Sequence, residues 1–197
     1  MPDYGVCMGL NNLLRFHRTR RFRLLTATFL CFNFVCKTAT AKVYYVSPTA
    51  GNADNPGTSI NAPWTLAKAK STARDGDVIY LLAGNYSATT FGMPGDAAGT
   101  ADAWITYQSD PAHPFGAKFS SITFQGDRPL YIKIMDLDVE CVSGKAAVQV
   151  VSNASSVIIK NCKIHGKANG NGPSYANVLV SGTKDVLVED CEIYYSG

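Results

Sequence analysis

Three seven-residue stretches share one order of apolar and polar positions and align without a gap: Ile134–Glu140 (IMDLDVE), Ile159–His165 (IKNCKIH) and Val188–Tyr194 (VEDCEIY). Their starts are 25 and then 29 residues apart. A repeat of this length marks a solenoid, in which each unit buries its apolar face only by stacking on its neighbours. Upstream of each phrase lies a second short apolar run, at 122–124, 148–151 and 178–180. Each coil is therefore expected to hold at least two short strands and the start of a third, separated by turns rich in Gly, Asn, Ser and Asp.

Period-two alternation places Val157 and Ile159, and Val186 and Val188, on one inward face. A turn at Asn161 or Asp190 resets the count, so that Cys162 and Ile164, or Cys191 and Ile193, also face inward. Asn and Asp suit such corners because they tolerate left-handed backbone angles and bond to the local backbone. The expected fold is an all-β, right-handed parallel β-helix. Equivalent residues on successive coils then stand about 4.8 Å apart. Leu137, Cys162 and Cys191 form an inward column. Asp138, Lys163 and Glu192 form an outward one, in which Lys163 is expected to bridge the two acids across coils.

Before the repeat, 43–46 reads as a strand leading into a turn-rich loop. Residues 61–74 read as an amphipathic helix with Leu66, Ala69 and Ala73 on one stripe and Thr65 as its cap. Asp75 and Gly76 stop it, and residues 77–82 begin another strand. A solenoid exposes its core at its first coil, and this helix is expected to be the lid.

Residues 15–23 are a basic cluster followed by an apolar run to Cys36 and small residues ending at Ala41. This is the pattern of a signal peptide spanning residues 1–41, with the N-terminal cap and first coils of the β-helix domain in 42–197. The run is short for a membrane span, so none is expected in the mature chain. Six of the eighteen basic residues but only one of the fifteen acidic ones precede Lys42, leaving twelve against fourteen and a net charge of −2. The isoelectric point near 8.5 thus belongs to the whole chain, and no basic surface points to nucleic acid. Cys141, Cys162 and Cys191 remain after the leader. Their number and spacing fit neither a disulfide framework nor a zinc motif, and they read as buried apolar fillers. A bond between Cys162 and Cys191 is the minority reading.

The stretches at 44–69 (YYVSPTAGNADNPGTSINAPWTLAKA), 75–86 (DGDVIYLLAGNY) and 99–111 (GTADAWITYQSDP) resemble the N-terminal part of secreted right-handed β-helix proteins of the pectate-lyase-like superfamily. The resemblance covers roughly residues 43 to 197. It implies a secreted or periplasmic, carbohydrate-active protein, with an acidic polysaccharide as partner. The leading expectation is a polysaccharide lyase of the pectate, alginate or chondroitin type, acting by β-elimination on a uronate. A non-catalytic extracellular glycan-binding or adhesin-like protein, or a glycosidase on the same scaffold, is the alternative. Ca²⁺ is a cofactor by resemblance only. The matching residues build the entry strand, the lid and a Gly-Asp turn, so catalytic and metal-binding residues stay unassigned.

Among residues that suit such chemistry, Asp136, Asn161 and Asp190 share a corner column, as a cation site or as a ladder of mutually bonded side chains, the latter preferred. Lys160 projects beside Glu189 as a surface pair. His165 shares a column with Glu140 and Tyr194 and reads as solvated or hydrogen-bonded. The loop from Asn52 through Asp54 to Asn55 reads as a structural turn rather than a Ca²⁺ loop. Asp136 and Asp190 lie two coils apart and point the same way, the wrong geometry for a glycosidase pair. Asn85 and Asn153 head N-glycosylation sequons that also read as plain turn polarity. Gly197 follows directly on a strand pattern, which reads as a solenoid cut mid-stack, a fragment whose last coil presents open edges and self-associates.

Overall fold

A computed structural model of the chain describes residues 40–141, 146–166 and 176–194. All but the last two residues of the expected leader lie outside that range. No helix among the described residues is long and apolar enough to cross a membrane.

The chain enters through β1 (Val43–Val46) and α1 (Leu66–Thr72) and then winds in coils of three strands. The first coil holds β2 (Val78–Leu81), β3 (Gly84–Tyr86) and β4 (Thr89–Phe91). The second holds β5 (Ile105–Ser109), β6 (Ala117–Phe119) and β7 (Ile122–Phe124). The third holds β8 (Pro129–Met135), β9 (Asp138–Glu140) and β10 (Val148–Val150). The fourth holds β11 (Ser155–Lys160), β12 (Lys163–His165) and β13 (Val178–Val180), and β14 (Lys184–Glu189) and β15 (Glu192–Tyr194) follow. Corresponding strands stack into sheets of six, five and four, β1-β2-β5-β8-β11-β14, β3-β6-β9-β12-β15 and β4-β7-β10-β13. Every strand pairing is parallel, the ladder pattern of a parallel β-helix.

The registers are those of the repeated phrase. Ile159 pairs with Ile134 and Val188, and Lys163 with Asp138 and Glu192. The corners Asp136, Asn161 and Asp190 all take positive φ, 57°, 48° and 55°. A second left-handed column, Tyr131, Ser156 and Asp185, lies near the start of the long strands β8, β11 and β14. One coil, β2-β3-β4, lies before the coil that begins at Ile105.

The core runs along the axis. Ile79, Ile105, Ile132, Ile134, Val157 and Ile159 are fully buried from the six-stranded sheet, Val139 and Ile164 from the five-stranded one. Aromatic rings stack between coils, Tyr86 on Phe119 at 4.7 Å and Phe91 on Phe124 at 5.3 Å. In the last three strands, β13 to β15, the inward positions Val180, Val188 and Ile193 are 47%, 36% and 50% exposed.

The lid helix is shorter than its pattern. It starts at Leu66, because Thr65 is extended and Trp64 bridges to Val46 in parallel fashion. Thr65 caps it, its Oγ1 accepting from the Lys68 amide at 3.2 Å. Ala69 and Ala73 are wholly buried in the core cluster, as the stripe requires. The turn after it closes on Asp77, whose carboxylate accepts from the Arg74 and Lys42 amides at 2.7 and 3.0 Å.

Candidate functional site

The outward face of the five-stranded sheet carries two columns of side chains. Asn85, Lys118, Asp138 and Lys163 are consecutive register partners in one. Glu140, His165 and Tyr194 follow one another in the second. Alternation produces both columns, since Val139 and Ile164 between them point into the core. A groove of about 370 Å³ crosses this face, lined by Asn85, Lys118, Ser120, Asp138, Glu140 and His165 over Tyr86 and Phe119.

Charges in the groove are arranged around Asp138. Its Oδ1 lies 2.8 Å from His165 Nε2, and its Oδ2 is 3.8 Å from Lys118 Nζ. Both members of the histidine pair are largely sheltered, with 16% and 18% of their side chains exposed, whereas 60% of Lys118 is open to solvent. His165 Nδ1 is 3.0 Å from the Gly166 carbonyl, so both ring nitrogens face acceptor oxygens and a doubly protonated ring satisfies both. Tyr194 stacks on the imidazole at 4.9 Å with planes 9° apart.

The groove departs from the sequence reading at Lys163. Its register with Asp138 and Glu192 is as expected, yet its ammonium sits 4.7 Å from the Phe115 ring centre, over the ring face. Phe115 takes a left-handed turn tied to the corner by its amide, which donates to the Asp136 carbonyl at 2.9 Å. Asp138 turns instead to Lys118 and, diagonally, to His165. Lys118 was missed because the segment before it is broken by prolines and a glycine, which hides the strand at Ala117. Its signal is the register itself, one coil before Asp138.

No protein-family model matches the chain, and no curated protein is similar to it. Solved structures that resemble it include the following three. A rhamnogalacturonan lyase is 19% identical at a TM-score of 0.49, over 76% of this chain and 44% of that one. Pectate lyase Pel9A is 17% identical at 0.49, over 78% and 48%. A GH136 lacto-N-biosidase from Eubacterium ramulus is 16% identical at 0.49, over 77% and 34%. The chain spans less than half the length of each.

The other candidates are structural. Lys160 bonds Glu189 at 2.8 Å and lies 3.5 Å from Asp190; the bond from Glu189 and its charge raise the lysine pKa. Asn161 Nδ2 donates to Asp136 Oδ1 at 2.6 Å, the side-chain ladder favoured over a cation site. In the Asn52 loop, the Asn52 side chain accepts from the Asp54 amide at 3.0 Å, and the Asn55 carbonyl accepts from Trp64 Nε1 at 2.6 Å, a structural turn. Asn153 Nδ2 is committed to Asp127 at 2.9 Å.

Cys162 and Cys191 are not joined by a disulfide, so that reading falls. Cys162 sits beneath Cys191, its amide 3.4 Å from the Cys191 sulfur. The bond between the two thiols, with burial, pushes Cys162 up; the same bond holds Cys191 down, at about 6.

Among the described residues, no three His, Cys, Asp or Glu side chains gather to hold a metal. Asp138 already faces Lys118 and His165, a donor set that does not fit a hard cation seeking several oxygens.

Proposed function

We propose that the chain is part of a secreted, carbohydrate-active β-helix protein that takes a uronate-containing polysaccharide along this groove and cleaves it by β-elimination. The observation that carries the reading is the Asp138–His165 pair beside the open Lys118, an acid–base element next to a cation in a groove that follows the coils. The resemblance of roughly residues 43 to 197 to the pectate-lyase-like superfamily supports the reaction class, and the basic and apolar N-terminal stretch supports export.

In this reading Lys118 meets the uronate carboxylate, offsetting the charge that builds up as the neighbouring C–H is broken. His165 takes that proton. For this the ring is neutral, its Nε2–H donates to Asp138, and Nδ1 leaves the Gly166 carbonyl to face the sugar. The electron pair forms the ring double bond, and the glycosidic C–O bond one carbon further breaks, its oxygen taking a proton from solvent water while His165 returns its proton to solvent.

The engagement of both His165 nitrogens favours a second reading, a groove that holds acidic glycan without cutting it. Ultraviolet absorbance of an unsaturated uronate product on pectate, alginate or chondroitin separates the two. Absorbance that rises, and is lost in His165→Ala, is the result expected. Saturable binding without absorbance overturns the lyase in favour of the binding protein, and reducing ends without absorbance indicate hydrolysis.

A further inference from the structure

We infer that the pocket beneath the N-terminal cap is a second sugar subsite of this groove and that it accepts a neutral sugar; the inference rests on the glycan reading above. The pocket holds about 250 Å³, and its polar lining comes from Ser47, Thr65, Asn85, Ser87 and Thr89. Asn85 and Tyr86 line it and the charged groove alike, so the two adjoin at these residues.

The difference between the halves is charge. Lys118, Asp138, Glu140 and His165 line one, and no ionisable acid or base other than the buried Tyr86 phenol lines the other. A carboxylate entering the cap pocket would lose water and find no cation, a cost that burial of an unpaired charge always carries. Sugar hydroxyls find suitable partners there. Ser47 Oγ already accepts from the Thr49 and Ala50 amides, and Thr65 Oγ1 from the Lys68 amide, which leaves each hydroxyl its proton to donate.

The spacing fits a polymer. Asn85 is the register partner of Lys118 one coil earlier, and coils are about 4.8 Å apart, a step comparable with one sugar of an extended chain. A uronate held at Lys118 therefore carries its neighbours over Asn85 and into the cap pocket. The ligand class is a heteropolysaccharide in which a uronate is flanked on that side by neutral sugar.

Titration calorimetry on the full chain tests this with two defined oligosaccharides of equal length, one all uronate and one with uronate followed by neutral hexoses. The mixed oligosaccharide is expected to bind about tenfold more tightly, the scale of one unpaired polar group. Ser87 is exposed, so Ser87→Lys is expected to fold and to abolish or reverse the preference, while Lys118→Ala weakens both ligands. Equal or tighter binding of the all-uronate chain, still dependent on Lys118, overturns this inference and leaves the glycan reading standing. A ratio unchanged by Ser87→Lys does the same. No binding of either ligand overturns both.

Discussion

His165 Nε2 lies 2.8 Å from Asp138 Oδ1 although the two are not register partners. Asp138 is paired with Lys163 and His165 with Glu140, so the contact runs diagonally between the two outward columns and ties adjacent coils together at the groove. Charge-assisted bonds of this kind are roughly twice as strong as neutral ones. Asp138→Asn keeps the shape and removes the charge that orients the ring. Turnover of uronate polymer is expected to fall by about 100-fold, the lower range of acid–base contributions, while binding of the acidic chain holds or tightens because Lys118 loses its competing anion. Parallel loss of both would place Asp138 in substrate binding instead.

The Cys162–Cys191 pair gives a pH signature. Cys191 ionises at about 6 in the folded chain, against roughly 8.5 for an ordinary thiol. Between these values the unfolded chain binds the extra proton, so this group's stabilisation is complete above the ordinary thiol range and is lost as pH falls through about 6. Alkylation rates followed from pH 5 to 9 by mass spectrometry are expected to show Cys191 reacting first, with its inflection near pH 6. Cys162→Ala removes the donor and moves that inflection up toward the ordinary range. An unmoved inflection would show that the paired thiol is not the cause.

At the corner, Asn161 combines φ 48° with a 2.6 Å bond to Asp136. A β-branched residue there meets the steric cost of left-handed backbone, about 1–2 kcal/mol, and loses the bond as well. Asn161→Val is expected to cost about 2–3 kcal/mol in urea unfolding. Asn161→Gly, which loses only the bond, is expected to cost about 1 kcal/mol. Equal costs would assign the corner's stability to the bond alone.

Gly92 and Gly95 share φ 90°, but only at Gly92 would an added methyl strike neighbouring backbone, the Gln125 carbonyl. Around Gly95 the space is open. Gly95→Ala thus reports backbone strain, about 1–2 kcal/mol. Gly92→Ala adds the displacement of β7's exit and is expected to exceed about 3 kcal/mol. Thermal unfolding of the two variants side by side checks the order.

The repeat was enough to place β8 to β15 in register, because one phrase with its Asp, Asn, Asp corners returns without a gap. Coil β2-β3-β4 was only begun at Val78. Its later strands are three residues long, with Gly84 and Thr89 at their starts, and offer too few alternating positions to count. The left-handed column at Tyr131, Ser156 and Asp185 was hidden for a related reason, since a tyrosine there carries no local preference for that geometry and is held by the coils on which it stacks. At the groove, His165 and Glu140 were legible as column mates. The Asp138–His165 bond was not, because side-chain reach across columns is decided by tertiary neighbours such as Phe115, which draws Lys163 away.

The groove's dimensions come from hydrogen bonds between strands rather than from loops. Asn85 and Lys163 are seventy-eight positions apart in the chain, yet their separation is a whole number of inter-strand steps, and the same two outward positions recur on every coil. The five-stranded sheet is in effect a ruler with interchangeable marks. Transplanting the lysine, aspartate and histidine together to the equivalent positions one coil along would translate this charge arrangement by one rung while leaving the backbone untouched, and on the lyase proposal the place at which a polymer is cut would shift with it.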